Sequence, residues 1–209
     1  RGLESLIVKK DFNEMVYVAE RTCGICSFGH GMGYVEAVEK IMGVQIPDRA
    51  RYLRTIWMEL SRMHSHLLWL GLLADAFGYE SLFYHCWRIR EQILDMIEES
   101  TGGRVIFSVN KVGGVMKDMD AQMLGRFVEK LGDVEDQITG IRKNFLGDKT
   151  VQMRLRGVGV LTKQQAHDLG CAGPFGRASG IATDMRIRGY GAYADLDFEP
   201  IIRTDGDSY

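Results

Sequence analysis

Residues 47–76 read PDRARYLRTIWMELSRMHSHLLWLGLLADA. Proline with aspartate after it is a typical helix start, because the fixed backbone angle of proline suits the first turn. Apolar side chains then recur at the spacing of an α-helix, at Tyr52, Ile56, Leu60, Met63, Leu67 and Leu70. The stretch therefore predicts one long, mostly buried helix from Asp48 to about Ala76.

Two further stretches predict helices of similar length. Residues 81–99 are followed by Gly102-Gly103, which is a typical helix stop. The side chains of this helix that are expected to be buried are Trp87, Ile89, Ile93, Leu94 and Ile97. Residues 118–144 repeat the pattern through Met123, Phe127, Leu131, Val134 and Ile138. Three long helices in one chain predict a helix bundle.

The remaining elements are predicted to be short. Residues 34–42 and the segment from Thr162 to Leu169 predict short helices, and the β-branched residues in 105–109 predict a strand. The predicted fold class is mainly α, a long-helix bundle core with a few short β-strands. Because the chain has only three prolines and no Pro/Ser-rich linker, we predict that residues 1–209 form a single domain.

Composition narrows the possible partners and locations. The 26 Lys and Arg against 28 Asp and Glu give a formal net charge of -2 without a basic run, which argues against a nucleic acid partner. The longest apolar stretch, Leu67 to Ala74, is far shorter than the roughly 20 residues that span a bilayer. We therefore expect membrane association only through partner chains.

Cysteine usage and the ends of the chain suggest where the protein works. Four cysteines in 209 residues do not make a secreted disulfide framework, and no signal peptide is apparent, so a cytoplasmic location is predicted. The chain opens on Arg1 rather than Met and stops within polar sequence at Tyr209. We expect it to be a piece of a longer polypeptide.

The strongest chemical signal is the run Arg21-Thr22-Cys23-Gly24-Ile25-Cys26, with His30 four residues later. Thiolates favour soft or redox-active metals over magnesium and calcium. The glycines between residues 24 and 33 predict a tight loop that leads into the helix at 34–42. Arg21 and the start of that helix are expected to stabilise thiolates, and His30 is placed to donate a hydrogen bond to a ligating sulfur.

Three other interpretations of the cysteine pair remain open. A structural zinc site takes four ligands, and a second pair at the right spacing is missing from the sequence. A thioredoxin-type dithiol requires a βαβ frame, which the helical pattern does not offer. The pair could also be buried and unreactive.

The residues resemble two related families. The pattern RxCGxC with a histidine four residues later is similar to the N-terminal metal motif of the large subunit of nickel-iron hydrogenases. The 49-kDa subunit of respiratory complex I shows segments similar to Arg1-Gly-Leu-Glu4, Pro47 to Arg51, Glu59 to Arg62, Ser65 to Leu68, Gly102 to Arg104, Gly113 to Val115 and Gly173 to Gly180. Both sets of features occur together in large subunits of membrane-bound, energy-converting nickel-iron hydrogenases, which the chain resembles over nearly its whole length.

The resemblance implies a role for each cysteine of the motif. Cys23 would be a terminal nickel ligand, and Cys26 would bridge nickel to an iron that carries diatomic ligands. Arg21 and His30 would contact this cofactor. A nickel-iron centre takes four cysteines, and Cys86 and Cys171 do not form the missing pair. The chain by itself is therefore expected to hold at most half of the ligand set, with the centre absent or incomplete.

The resemblance also implies two catalytic carboxylates. Glu4 resembles a carboxylate proposed to ferry protons, although an ordinary exposed glutamate is the alternative. Asp75 is similar to an aspartate that lines the site, and a solvated carboxylate at the end of a helix is the alternative there. Of the neighbouring histidines, His66 is expected to be a structural, hydrogen-bonding histidine buried in the helix packing, and His64 to lie on the surface.

The function implied is the interconversion of hydrogen with protons and electrons. The expected partners are an iron-sulfur small subunit, which takes the electrons, and membrane subunits that translocate ions. One alternative is a subunit of the complex I type, which contributes to a quinone site and binds no metal. Another is a scaffold without catalytic activity whose cysteines are vestigial.

Overall fold

The structure, a computed structural model, describes residues 2–209. The helices in chain order are α1 Leu3–Ile7, α2 Met15–Glu20, α3 Ser27–Met42, α4 Asp48–Ala76, α5 Glu80–Thr101, α6 Ala121–Gly147, α7 Lys149–Leu155, α8 Lys163–Asp168 and α9 Pro174–Ala178. Strands β1 (Asn110–Lys111) and β2 (Gly114–Val115) form an antiparallel hairpin, and short 3-10 helices cover Met185–Arg188 and Tyr193–Asp195. The predicted mainly α fold class is confirmed.

The backbone groups into two compact units, Arg1–Ile141 and Arg142–Tyr209. The single domain over residues 1–209 stays a prediction.

Helices α4 and α5 are the longest packed pair of the first unit. The predicted helix from Asp48 to Ala76 is confirmed at both ends. A connection of only three residues, 77–79, separates the two helices and brings them into antiparallel contact. Trp57 of α4 is fully buried, and its indole N–H donates to the Ser100 hydroxyl of α5 at 3.1 Å.

The buried face of α4 differs from the predicted one. Tyr52, expected inside, is 41% exposed. Leu60 and Leu67 of the predicted stripe are buried, and the other residues of the stripe that faces the core are Leu53, Trp57, His64, Gly71 and Ala74. A small residue permits close packing on this face, because a Cβ atom on Gly71 would lie 3.0 Å from the Trp87 ring of α5. Because the buried face contains polar and small residues, the pattern of apolar residues in the sequence does not identify it.

The same difference reverses the prediction for the two histidines of α4. His64 is completely buried, whereas His66 lies on an exposed position. Both assignments made from the sequence were therefore wrong. His64 occupies the core stripe one helical turn after Leu60, so its imidazole replaces an apolar side chain there.

Helix α3 begins at Ser27 rather than near Tyr34, so the predicted glycine loop is wrong over most of its length. Close packing explains why glycines occur inside the helix. A Cβ atom on Gly29 would lie 3.5 Å from Met58 of α4, and one on Gly31 would lie 2.7 Å from the Glu20 carboxylate of α2. These glycines do not break α3; they allow the helix to lie close to α2 and α4.

The predicted strand over residues 105–109 is also wrong. This segment is irregular and is fixed by side chains of α3. The Ser27 hydroxyl donates to the Val105 carbonyl at 2.8 Å, and the Phe107 ring stacks on Phe28 with 5.0 Å between centroids. The strand forms only afterwards, where the chain turns at Gly113.

A buried ion pair joins α3, α4 and the hairpin. Arg54 donates to both carboxylate oxygens of Glu39, at 2.9 and 2.7 Å, and both side chains are almost fully buried. The same guanidinium donates to the carbonyls of Lys111 and Gly114, each at 2.9 Å. The Gly113 N–H donates to Glu39 at 2.8 Å. The pair therefore satisfies backbone groups of a turn that is too short to pair them itself.

The second unit contains short helices with well-formed N-terminal caps. Asp148 accepts hydrogen bonds from the N–H groups of Thr150 and Val151 and starts α7. Thr162 and Gln165 cap α8 reciprocally, the arrangement known as a capping box. The helix predicted after Thr162 is confirmed.

No helix within residues 2–209 is both long and apolar enough to cross a membrane.

Loss of Arg54 should be strongly destabilising, because Glu39 would remain as an unpaired buried charge. We expect Arg54→Met to lower the free energy of unfolding of the first unit by about 3 to 5 kcal/mol, as for other broken buried pairs. Arg126→Met removes a partly exposed arginine that pairs with Glu99, and should cost at most about 1 kcal/mol. Denaturant unfolding of both variants makes the comparison, and equal losses would contradict it.

The two neighbouring helical glycines should respond oppositely to alanine. Gly31→Ala places a methyl group 2.7 Å from a Glu20 oxygen, and we expect it to cost roughly 1 to 3 kcal/mol by overpacking. Gly33→Ala meets no atom within 4 Å and should stabilise α3 by up to about 1 kcal/mol. Thermal unfolding midpoints report both effects. A Gly31→Ala variant as stable as Gly33→Ala would refute the close contact between α2 and α3.

Candidate metal centre

Three potential metal ligands meet at the start of α3. The sulfurs of Cys23 and Cys26 and a ring nitrogen of His30 all lie within 4.8 Å of one another. Cys26 is the N-cap of α3 and His30 follows four residues later, so both side chains lie on the same face of the helix. The early start of α3 therefore brings the imidazole to the sulfurs.

A tight turn brings Cys23 to the same place. Its sulfur accepts hydrogen bonds from the backbone N–H groups of Ile25 and Cys26, at 3.4 and 3.2 Å. Cys26 and His30 are exposed and Cys23 is half-buried. The cluster is thus open to a metal ion or to a partner.

The two thiols differ in acidity. The Cys26 thiol and the two backbone N–H groups lower the pKa of Cys23. Partial desolvation and the neighbouring Cys23 sulfur raise the pKa of Cys26 to about 11. The first proton to leave the pair is therefore the one on Cys23.

Arg21 contacts the protein on the other side of the motif. Its guanidinium donates to the Tyr17 carbonyl and to the Ser108 hydroxyl, each at 3.1 Å, and lies 3.4 Å from the Glu20 carboxylate. These contacts tie the start of the cysteine turn to α2 and to the segment after α5. Backbone N–H groups and Cys26, rather than Arg21, lower the pKa of Cys23.

The two candidate carboxylates lie apart from this cluster. Glu4 is exposed in the first turn of α1, and Asp75 is exposed near the end of α4. Within residues 2–209, neither belongs to the group of ligand atoms that meet around Cys23. The arginine of the RGxE segment, Arg1, lies outside the described residues.

Two buried polar residues next to the motif were missed from the sequence. Glu20 is fully buried, and burial raises the pKa of its carboxyl even though the Ser108 hydroxyl donates to it. One of its oxygens, Oε1, has no hydrogen-bond partner among the described residues. Its position directly before Arg21 could have signalled it, but an isolated glutamate in a short helix carries no pattern.

His64 is the second residue that was missed. Burial and the charge of Arg90 lower the pKa of its imidazole to about 4, so the ring is neutral at pH 7. The backbone of Ile25, between the two cysteines, lies close enough to oppose this shift. Neither ring nitrogen has a partner in full hydrogen-bond geometry within residues 2–209. The cysteine turn therefore rests beside a neutral, buried imidazole.

Other segments that carried the family resemblance form structural ion pairs. Arg104 contacts Glu91, Asp95 and Glu98 on the surface of α5. In the glycine-rich segment of the second unit, Arg177 pairs with Asp184 at 3.0 Å. These arginines hold local structure.

Arg186 completes the cluster around Asp184. It donates to the carboxylate at 2.8 Å and is the main reason that the pKa of Asp184 falls to about 2. The Arg203 N–H donates to the Arg177 carbonyl at 2.8 Å, which fastens the C-terminal segment to the same loop. The glycine-rich segment that looked functional is thus built around a buried carboxylate.

The donor set suits half of a nickel-iron centre. Two sulfurs and an imidazole favour soft or borderline transition metals over magnesium and calcium. Among the described residues, the group of ligand atoms that meet at the start of α3 includes neither of the other two cysteines, and Cys86 is fully buried in α5. The described residues could hold nickel through Cys23 and Cys26 only with further ligands.

Similar proteins belong to redox complexes. The chain is 37% identical to the membrane-bound hydrogenase subunit alpha of Pyrococcus furiosus, over 98% of this chain and 48% of that protein. It is 36% identical to a subunit of the NADH-quinone oxidoreductase of Bacteroides fragilis, over all of this chain and 40% of that protein. Formate hydrogenlyase subunit 5 of Escherichia coli is 36% identical, over 89% of this chain and 33% of that protein.

The fold also occurs in a solved structure. A chain of the membrane-bound sulfane sulfur reductase, an archaeal respiratory membrane complex, superimposes with a TM-score of 0.92 at 27% identity. The match covers 97% of this chain and 55% of the other. The chain thus spans a third to about half of the length of these relatives.

Two families divide the chain between them. Residues 1–75, which include the cysteine motif, match the family described as nickel-dependent hydrogenase. Residues 76–209, more than half of the chain, match the family described as respiratory-chain NADH dehydrogenase, 49 Kd subunit. The chain therefore belongs to the oxidoreductase family of the respiratory 49-kDa subunit and its relatives, the large subunits of nickel-dependent hydrogenases.

Proposed function

We propose that the full-length protein is the large subunit of a membrane-associated hydrogenase, in which Cys23 and Cys26 hold a nickel-iron centre. The observation that carries this proposal is the convergence of Cys23, Cys26 and His30 at the start of α3. The nickel-dependent hydrogenase match over residues 1–75 supports it. The reaction is the interconversion of hydrogen with protons and electrons.

The protein residues prepare this site for a metal. Cys23 loses its proton first, and a bound cation would favour the deprotonation of Cys26, whose pKa of about 11 keeps the thiol protonated at neutral pH. Backbone N–H groups hold the Cys23 sulfur in place. When bound, a nickel-iron centre would supply the heterolytic cleavage of hydrogen and the redox chemistry. Two further cysteine ligands would have to come from the part of the protein beyond this chain.

Protons require a path away from the site, and Glu4 and Asp75 are the proposed carriers. Both carboxylates are exposed in the chain as described, one on α1 and one near the end of α4. An exposed carboxylate exchanges protons readily with water, which suits a residue at the solvent end of a proton-transfer path. Arg21 would keep the cysteine turn in place through its contacts with Tyr17 and Ser108.

Electrons require a partner, because two of the four cysteines belong to the proposed centre and the other two stand alone. We propose an iron-sulfur small subunit as the acceptor and ion-translocating membrane subunits as further partners. The names of the relatives, a membrane-bound hydrogenase subunit and an NADH-quinone oxidoreductase subunit, support this assembly. The protein would then be peripheral to the membrane, on its cytoplasmic side.

A second candidate is a quinone-site protein of the complex I type without a metal. The match of residues 76–209 to the 49 Kd subunit of the NADH dehydrogenase favours it. The convergence of two sulfurs and an imidazole has no purpose in that function. Metal content and substrate use separate the two candidates.

The hydrogenase proposal predicts nickel in the intact complex. Anaerobically purified complex should contain about one nickel per large subunit, and Cys26→Ala should lose both nickel and hydrogen turnover, because a thiolate ligand is missing. Glu4→Gln and Asp75→Asn should keep the nickel and slow turnover, because they remove proton carriers only. Elemental analysis and a hydrogen-uptake assay measure both quantities.

Cys171→Ala is the matched control for this experiment, since it removes a free cysteine in the second unit. It should leave nickel content and turnover unchanged. A complex without nickel that reduces quinone would establish the second candidate instead. Unchanged hydrogen turnover in Cys26→Ala would identify the cysteines as vestigial.

The two thiols should react in an order that exposure alone does not predict. Cys26 is more exposed than Cys23, yet the lowered pKa of Cys23 makes it the first to become a thiolate as pH rises. In metal-free full-length protein at mildly alkaline pH, iodoacetamide should therefore label Cys23 before Cys26. Cys86, buried with a pKa of about 11, should label last. Peptide mass spectrometry across a pH series reads the order, and faster labelling of Cys26 would contradict the described turn.

A further inference from the structure

Arg90 is a buried arginine without a counterion among the described residues. It lies on the buried face of α5 and is only 6% exposed. None of the ion pairs formed within residues 2–209 includes it, and its Nε atom is buried without a hydrogen-bond partner. Burial lowers the pKa of this guanidinium, and the charge of Arg104 lowers it further. Arginines are seldom buried to this extent unless they are paired.

The acidic residues that follow Arg90 in α5 pair with a different arginine. Arg104 is surrounded by three carboxylates, those of Glu91, Asp95 and Glu98. Its side chain is 36% exposed, so the more exposed arginine has three carboxylates and the buried one has none. A buried charge needs a counterion more than an exposed charge does, because water cannot solvate it. The counterion of Arg90 is therefore expected from outside the described residues.

Two neighbours of Arg90 add further hydrogen-bonding groups without partners. The guanidinium carbon lies 5.0 Å from the centre of the Trp87 ring, and Nε1 of Trp87 is buried without a partner. Both ring nitrogens of the buried His64 also lack a partner within residues 2–209, and the charge of Arg90 reaches this imidazole. We call these three residues the Arg90 cluster. Because Arg90 and Trp87 can only donate hydrogen bonds, the cluster combines a positive charge with an excess of donors, which favours an anionic acceptor.

We propose that the Arg90 cluster binds the carboxylate of an aspartate or glutamate from protein outside residues 1–209. A guanidinium that stacks on an aromatic ring keeps its edge for in-plane N–H donors, and a carboxylate accepts two of them. Water would accept the same hydrogen bonds without compensating the buried charge. The chain spans 48% of its Pyrococcus furiosus relative and 33% of its Escherichia coli relative. The rest of such a polypeptide is one source of the carboxylate, and a neighbouring subunit is the other.

The position of the cluster brings the bound segment close to the candidate metal centre. His64 lies near the backbone of Ile25, which is between Cys23 and Cys26. A carboxylate held by Arg90 would therefore fasten a second protein segment near the cysteine turn. The inference depends on neither the nickel-iron centre nor the quinone site, because it rests on the buried charge of Arg90 and on its neighbours.

The test is a cryo-electron microscopy structure of the anaerobically purified complex at a resolution that shows side chains. We expect the carboxylate oxygens of an aspartate or glutamate from outside residues 1–209 at about 2.7 to 2.9 Å from the Arg90 nitrogens. The place of that residue in the sequence tells whether the rest of the polypeptide or another subunit provides it. Any other partner, such as water alone, a small inorganic anion or a carboxylate from within residues 1–209, would overturn the inference.

Variants of the complex measure the same pair in solution. Arg90→Met leaves the partner carboxylate without its counterion, so we expect the thermal midpoint of the complex to fall by roughly 5 °C or more. The matched control is Arg88→Met, at an exposed arginine of the same helix, which should shift the midpoint by at most about 2 °C.

A double variant separates the pair from a general loss of packing. The partner residue that the structure identifies is replaced by its amide, alone and together with Arg90→Met. The double variant should lose clearly less stability than the two single losses add up to, because the pair is broken only once. If Arg90→Met does not assemble, Arg90→Gln takes its place in the comparison. Losses that simply add, or equal losses in Arg90→Met and Arg88→Met, would overturn the inference.

Discussion

The Glu39–Arg54 ion pair is the interaction on which the first unit depends. It is buried, it is bidentate, and it supplies hydrogen-bond partners for three backbone groups of the β1–β2 hairpin. A buried charge pair is stabilising only when most of its remaining hydrogen-bonding capacity is met, and here the short hairpin provides partners for one guanidinium nitrogen and for Glu39, while Arg54 Nε has no partner among the described residues. The pair thereby fixes the direction of α3 against α4.

The direction of α3 determines what the protein can bind. The cysteine turn leads into the first residue of α3, and His30 lies near the same end of the helix. Near the other end, Glu39 forms the ion pair with Arg54 of α4. The glycines near this end leave room for neighbouring side chains, because a Cβ atom on Gly29 would lie 3.5 Å from Met58 and one on Gly31 would lie 2.7 Å from Glu20. A rigid helix that is fixed at both ends places three ligand atoms within reach of one ion, which loops of similar sequence would do less reliably.

Periodic apolar residues predicted the long helices well, because the recurrence of apolar side chains at helical spacing is a property of the sequence itself. The bounds of α4 agreed to the residue, and the capped start of α8 was evident from Thr162. The failures share a different cause. Gly29 and Gly31 look like loop residues until the side chains of Met58 and Glu20 are placed beside them, and that proximity is tertiary.

The residues of the candidate metal centre and their surroundings differ in the same way. The grouping of Cys23, Cys26 and His30 was evident from their spacing, because the motif is local. His64 was assigned to the surface, because a histidine beside apolar positions gives no sign of which face of the helix is buried. Glu20 was passed over because its burial depends on Ser108, which lies far away in sequence.

The central claim is that Cys23 and Cys26 bind nickel in the full-length protein. The most direct test is the nickel X-ray absorption spectrum of the anaerobically purified complex. The account predicts sulfur atoms in the first coordination shell, fewer of them in Cys26→Ala. A spectrum with only oxygen and nitrogen neighbours, or a complex without nickel, would contradict it.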